Sequence, residues 1–192
     1  MDENMQRKAV KSLALILVFS MFVGRAASPR SPLAPSGGSR QYCNEKYKYC
    51  VDLPPSGKAE AHQGDAPNHG VTIVLPDSGE LWTYAQWDAA LFEEAQKAAL
   101  EQREIILRKH PDAGVTMTKT VLAGLSAYRM RFTYVDIQPM TEEIIIAYRK
   151  PRDQSKDTGI IYEVGMKCAP SACKANLGVF GAFVSTFQQV EK

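Results

Sequence analysis

The chain has 192 residues, of which 45% are hydrophobic and 23% charged, with a formal net charge of +2. That small surplus belongs to the N-terminal segment, where Arg7, Lys8, Lys11 and Arg25 outnumber Asp2 and Glu3; without it the remainder is formally neutral. A neutral domain lacks the clustered cations that a row of phosphates demands, so composition argues against a nucleic-acid partner.

The first element is a signal segment. A basic start is followed by the apolar run LALILVFSMFV (Leu13 to Val23) and by the small residues of GRAAS, which predicts a secretory signal peptide over 1–27 cleaved near Ala26 or Ala27. The run is too short for a membrane-spanning helix, which needs about 20 apolar residues. The first cysteine, Cys43, lies well beyond it, which argues against a lipoprotein. Residues 28–41, SPRSPLAPSGGSRQ, bury little apolar surface and read as a flexible tether. Residues 42–192 contain no internal repeat and are long enough for one core, so they are expected to form a single domain.

The four cysteines fall as Cys43 with Cys50 and Cys168 with Cys173. Three connectivities are possible, and the local one is expected because each pair brackets a short turn-like segment. Structural zinc sites use tighter C-x₂₋₄-C spacing, which the first pair does not meet, and the redox C-x-x-C motif is absent. Structural disulfides suit an exported chain.

In YKYCVDLP (Tyr47 to Pro54), Tyr49, Val51 and Leu53 alternate with polar residues, as in a half-buried strand. The polar stretch EAHQGDAPNHG (Glu60 to Gly70) follows. GVTIVLP, the turn DSG and ELWTYA then predict a hairpin. From about Asp88 the spacing changes to three- and four-residue steps through Trp87, Leu91, Ala95, Ala98, Gln102 and Ile105. This predicts a central helix of about twenty residues, N-capped by Asp88 and stopped at HPDAG. Next comes a weakly amphipathic strand, VTMTKTVL, a turn around Ser126, and AYRMRFTYV, whose Tyr128, Met130, Phe132 and Tyr134 face one way and Arg129, Arg131 and Thr133 the other. EEIIIAYRK and GIIYEVGMKC complete a meander, the last with an apolar row of Ile160, Tyr162, Val164 and Met166. A closing helix carries Leu177, Phe180, Val184 and Phe187 on one stripe. Strands joined by short loops pair antiparallel, so the fold class is α+β: an antiparallel sheet covered by the central and C-terminal helices.

The segments TKTVLAGLSAYRMRFTY, EEIIIAYRK, GIIYEVGMKC and the closing FVSTF together resemble the PsbP-like fold, whose members carry a similar G-x-x-A-Y-R turn into a strand. The N-terminal part also resembles small exported bacterial proteins without an assigned activity. The resemblance implies a layered sandwich that binds partner proteins, as PsbP docks on a membrane complex. It carries no catalytic residue over to this chain.

No catalytic constellation stands out. Ser126 in GLSAY has only part of a nucleophile elbow, Glu93–Glu94 and Glu142–Glu143 diverge as sequence neighbours, and His110 reads as a helix-end residue. No cofactor is expected. Glu60, His62, Asp65 and His69 are chemically able to hold a transition metal. Gly64 and Pro67 break any regular ligand spacing, so the stretch reads first as a surface loop. Trp82, Tyr84 and Trp87 at the strand-to-helix junction read first as core aromatics; the alternative is a patch for a ligand or partner, with Arg129 and Arg131 as a second element. Cross-strand pairing of the arginines with Glu143 or Glu163 is the ordinary alternative. Three functions follow in order: an exported non-enzymatic domain binding a protein or other envelope component, a metal-binding or metal-dependent hydrolytic protein using residues 60–69, and an inhibitor or immunity protein of an envelope enzyme.

Overall fold

The computed structural model describes residues 40–61, 69–153 and 158–190. The expected signal peptide, the expected tether up to residue 39, His62 and Asp65 lie outside the described residues. Strands β1 (Gln41–Asn44) and β2 (Tyr49–Asp52) form a hairpin, and β10 (Gln188–Gln189) joins β2 to give a three-stranded sheet. Gln41, expected to close the tether, is thus already in a strand, and Tyr47 lies in the turn before β2. A seven-stranded sheet is built from β3 (Lys58–Ala61), β4 (Gly70–Val74), β5 (Glu80–Trp87), β6 (Thr116–Leu122), β7 (Leu125–Val135), β8 (Pro139–Arg149) and β9 (Ile160–Cys168). Its order is β3-β4-β5-β9-β8-β7-β6, and every neighbouring pair is antiparallel. Helix α1 (Ala95–Lys109) precedes the β6–β9 meander and α2 (Pro170–Ser185) follows it.

Local chemistry explains the joints. β6 and β7 meet through Ala123 and Gly124, both at positive φ (47° and 81°), the twist that two-residue hairpin loops use to match their strands. Cys43 and Cys50 are direct cross-strand partners joined by a disulfide with Cα atoms 4.1 Å apart. The Cys168–Cys173 disulfide, with Cα atoms 5.2 Å apart, fastens the end of β9 to the first turn of α2. Pro170 begins that helix, where its missing N–H costs nothing.

The helix expected from Asp88 begins only at Ala95 and spans fifteen residues. Leu91 and Glu93 take left-handed φ values of 56° and 63°, which a right-handed helix cannot contain. Asp88 therefore caps a turn and not the helix. Its carboxylate accepts the Phe92 and Glu93 N–H groups at 2.9 and 3.0 Å, and Leu91, expected on the apolar stripe, is 72% exposed. Ala95, Ala98, Ala99 and Ile106 form the buried face, their small side chains letting α1 lie close to β7 and β8.

Two apolar cores result, one on each face of the large sheet. Met130, Phe132, Ile144, Ile146 and Ile161 pack under α1. On the other face, Ile73, Leu81, Tyr162, Val164 and Met166 pack against Phe180, Phe183 and Phe187 and against Tyr49 and Val51 of the small sheet. Each large apolar side chain removed from water there contributes roughly 1.5–3 kcal/mol. Buried hydroxyls are satisfied: Tyr162 donates to the Tyr47 carbonyl at 2.8 Å, and the Tyr49 hydroxyl lies 3.0 Å from Thr83 Oγ1.

Candidate functional site

Strand β5 has two different faces. Leu81, Thr83 and Ala85 have no exposed surface, whereas Trp82, Tyr84 and Gln86 are half-buried and Glu80 is exposed. The reason is the placement of the covering elements. The small sheet and α2 seal the first face, while on the second α1 lies chiefly over β7 and β8 and, among the described residues, no helix covers β3, β4 or β5 there. The strand registers place three rows of side chains on this open face: Glu60, Thr72, Trp82 and Gly165; Gly70, Tyr84 and Glu163; and Lys58, Val74, Glu80, Lys167 and Glu142.

Trp82 is the centre of the face. Gly165 is its cross-strand partner, and a Cβ there would come within 2.2 Å of the indole ring, so the ring lies directly on bare backbone. Its Nε1–H donates to Glu163 Oε1 at 2.7 Å. Burial raises the Glu163 carboxyl above its ordinary value, the Trp82 bond opposes this, and the charge of Glu142 adds to it. Burial, followed by the Glu163 charge, also raises the Tyr84 hydroxyl.

Tyr84 and Tyr47 both stack on His69, with ring centres 5.0 and 5.4 Å from it. His69 Nδ1 donates to the Ala85 carbonyl at 2.8 Å, which fixes the ring and its tautomer. The lower row is charged. Lys167 stands between Glu80 and Glu142 as the direct partner of both, and the Tyr134 hydroxyl donates to Glu142. His110 packs on Tyr134 with ring centres 4.0 Å apart, and burial lowers its pKa ahead of the nearby Lys109 charge.

The open face offers an aromatic surface, a desolvated carboxylate and a row of alternating charges. Ser126 is an exposed residue at the start of β7, opposite Val121. Among the described residues, no group of three His, Cys, Asp or Glu side chains is placed to hold a metal, and no helix is long and apolar enough to cross a membrane. A concavity of about 690 Å³ lies between Asp88, Glu93, Lys97, Tyr148 and Lys150. Its charges largely answer one another, with Lys97 3.9 Å from both Glu93 and Glu94 and Asp88 bonded to backbone N–H groups.

The five residues expected to form a patch divide between the two faces. Trp82 and Tyr84 stand on the open face. Trp87, of opposite parity, turns to the other side, where its ring lies 5.3 Å from Tyr47 and is 36% exposed. Arg129 and Arg131 share the α2 side. Arg129 Nε lies 2.8 Å from Glu143 Oε1 in an ion pair held by charge and not by an aligned N–H, and its guanidinium is 6.0 Å from the Phe180 ring. Arg131 is the direct cross-strand partner of the same Glu143. Glu163 and Gly165 complete the open face without having stood out in the sequence. The available signal was a glycine inside an otherwise apolar strand, YEVGMK, which marks close approach by another group.

Neither a family model nor a curated protein matches this sequence. Solved structures do match in shape. Cyanobacterial PsbP (CyanoP) from Synechocystis sp. PCC 6803 is 13% identical, with a TM-score of 0.54 over 83% of this chain and 99% of that one. LpqN of Mycobacterium tuberculosis, described as involved in cell envelope biogenesis, is 12% identical, with a TM-score of 0.56 over 85% of this chain and 91% of that one. The Saccharomyces cerevisiae Ran-binding protein Mog1p is 12% identical, with a TM-score of 0.52 over 81% of this chain and 97% of that one. Identities this low speak for architecture alone. The architecture expected from the sequence is the one found: an α+β domain with a PsbP-like fold.

Proposed function

We propose that this protein is an exported, non-enzymatic binding domain that docks a protein or other cell-envelope component on the open face of its seven-stranded sheet. The observation that carries the reading is Trp82, which is half-buried on bare backbone at Gly165 and anchored through its N–H to Glu163. A rigid aromatic ring beside a carboxylate is the composition of an interface anchor, since Trp and Tyr dominate binding hot spots. The fold relatives support a binding role in the words used for them, one being Ran-binding and another involved in cell envelope biogenesis. Two disulfides and a signal-type N-terminus support export to an oxidising compartment.

The test is affinity capture of the protein from a native envelope extract, with wild type, Trp82→Ala and Trp87→Ala in parallel. One reproducible partner held by wild type and Trp87→Ala but lost with Trp82→Ala is the expected result. Equal capture by all three variants, or no partner at any salt concentration, contradicts it.

One observation favours a metal reading as a second possibility. Donation of His69 Nδ1–H to the Ala85 carbonyl directs the lone pair to Nε2, the arrangement that presets a histidine as a ligand. His62 and Asp65, its suggested companions, lie outside the described residues. Calorimetric titration with zinc decides this reading: heat that disappears in both His62→Ala and His69→Ala supports it, and heat unaltered by them sinks it.

A further inference from the structure

Strand β6 forms one edge of the large sheet, and its residues read almost the same in both directions. Val115 to Val121 is V-T-M-T-K-T-V, a mirror pattern about Thr118 in which only Met117 and Lys119 differ. We propose that β6 pairs antiparallel with β6 of a second copy of this chain, with the two-fold axis at Thr118, to give a homodimer with a continuous sheet. An isologous interface requires that residue i meet j while j meets i, and a strand on the axis meets this most simply when its sequence is its own mirror. Centred on Thr118, the register sets Val115 opposite Val121, Thr116 opposite Thr120, Met117 opposite Lys119, and Thr118 opposite itself. Cross-strand Thr–Thr pairs are favourable and like charges directly opposite are not, and this register brings no lysine against lysine. A shift by one residue to an axis at Lys119 would do so.

The edge itself is fit for pairing. Among the described residues β6 has β7 as its single strand neighbour, and the strand is seven residues long with no proline and one charge. Thr116, Thr118, Lys119 and Val121 are exposed, Val121 at 63%. A seven-residue edge guarded by a single lysine is weakly protected against pairing. The opposite edge is blunted in the usual way, because β3 has four residues and carries exposed Lys58 and Glu60. An axis perpendicular to the sheet would also turn the two open faces to the same side. That last consequence rests on the function proposed above, whereas the dimer does not.

Sedimentation velocity on the purified protein, from low to high micromolar concentration, gives the first test. A small interface of this kind belongs to the weak class, so the weight-average mass should rise toward twice the monomer mass only at the upper end. Thr118→Glu sets two carboxylates against each other on the axis and should hold the mass at the monomer value, while Thr118→Val should still associate. Under mild oxidation, Thr118→Cys should cross-link to a covalent dimer, because directly opposed Cβ atoms lie about 4.5–5.5 Å apart. Val135→Cys, exposed at the tip of the β7–β8 hairpin, should not. A monomer at every concentration, a dimer that survives Thr118→Glu, or equal cross-linking at 118 and 135 overturns the proposal.

Discussion

The two faces of the large sheet are made by the same strands, yet along β5 and β9 one is closed and the other is not. On the α2 side every residue that β9 contributes, from Ile160 to Cys168, has no exposed surface. On the other side the same strand carries Ile161, Glu163, Gly165 and Lys167, and α1, which lies chiefly over β7 and β8, leaves Glu163 and Lys167 partly exposed. Sealing one face along β9 is enough to anchor the strand and leaves its other face partly exposed. In this protein the residues with unusual surroundings, Trp82 on bare backbone and Glu163 with a raised pKa, gather on the second face.

Four experiments sharpen that contrast. On the sealed face, Phe180→Ala removes a fully buried ring from the helix that closes it and should cost about 3–5 kcal/mol, measured by denaturant unfolding. Partner capture by the variant that remains folded should match wild type. Replacing both Cys168 and Cys173 by Ala unfastens α2 from β9 and should cost about 2 kcal/mol under oxidising conditions. In a reducing buffer wild type and variant should converge.

On the open face, Gly165→Ala drives a methyl group into the Trp82 ring. We expect about 1–3 kcal/mol of destabilisation from overpacking, together with a red shift of Trp82 emission read in a Trp87→Phe background. An unshifted spectrum would show that the ring does not rest on Gly165.

The smallest effect is on pH dependence. Burial lifts the folded-state pKa of Glu163 above the value of about 4.3 that it has in an unfolded chain. The folded protein therefore keeps that proton to higher pH than the unfolded one. Stability attributable to this group is greatest in acid and falls as pH rises from about 4 through the raised value. Glu163→Gln still accepts the Trp82 N–H and should remove the slope, as seen in melting temperatures across that range. A slope identical in both proteins would contradict the burial of this carboxyl.

Much of the fold was legible because β-strand alternation reports burial directly. The row Ile160, Tyr162, Val164 and Met166 reads from the sequence as one apolar face and is wholly buried. Strands β1 and β3 were not legible, since QYCN and KAEA are short and polar and owe their conformation to a neighbour. The start of α1 is hidden in the sequence because its helical periodicity continues into a segment where Leu91 and Glu93 are left-handed. The candidate patch was harder still. Trp82, Tyr84, Arg129 and Arg131 all look notable, but only the β5–β9 and β7–β8 registers reveal that the aromatics and the arginines stand on opposite faces. Cross-strand register is a tertiary property, and so the Trp82–Gly165 contact is invisible to any local pattern.

If Trp82 anchors a partner on the open face, the affinity of wild type, Trp82→Ala and Trp87→Ala for the captured envelope partner, by surface binding at one salt concentration, should reveal it. Trp82→Ala should lose at least about 2 kcal/mol, roughly thirtyfold, with Trp87→Ala near wild type. Undiminished affinity in a folded Trp82→Ala protein would contradict that anchoring.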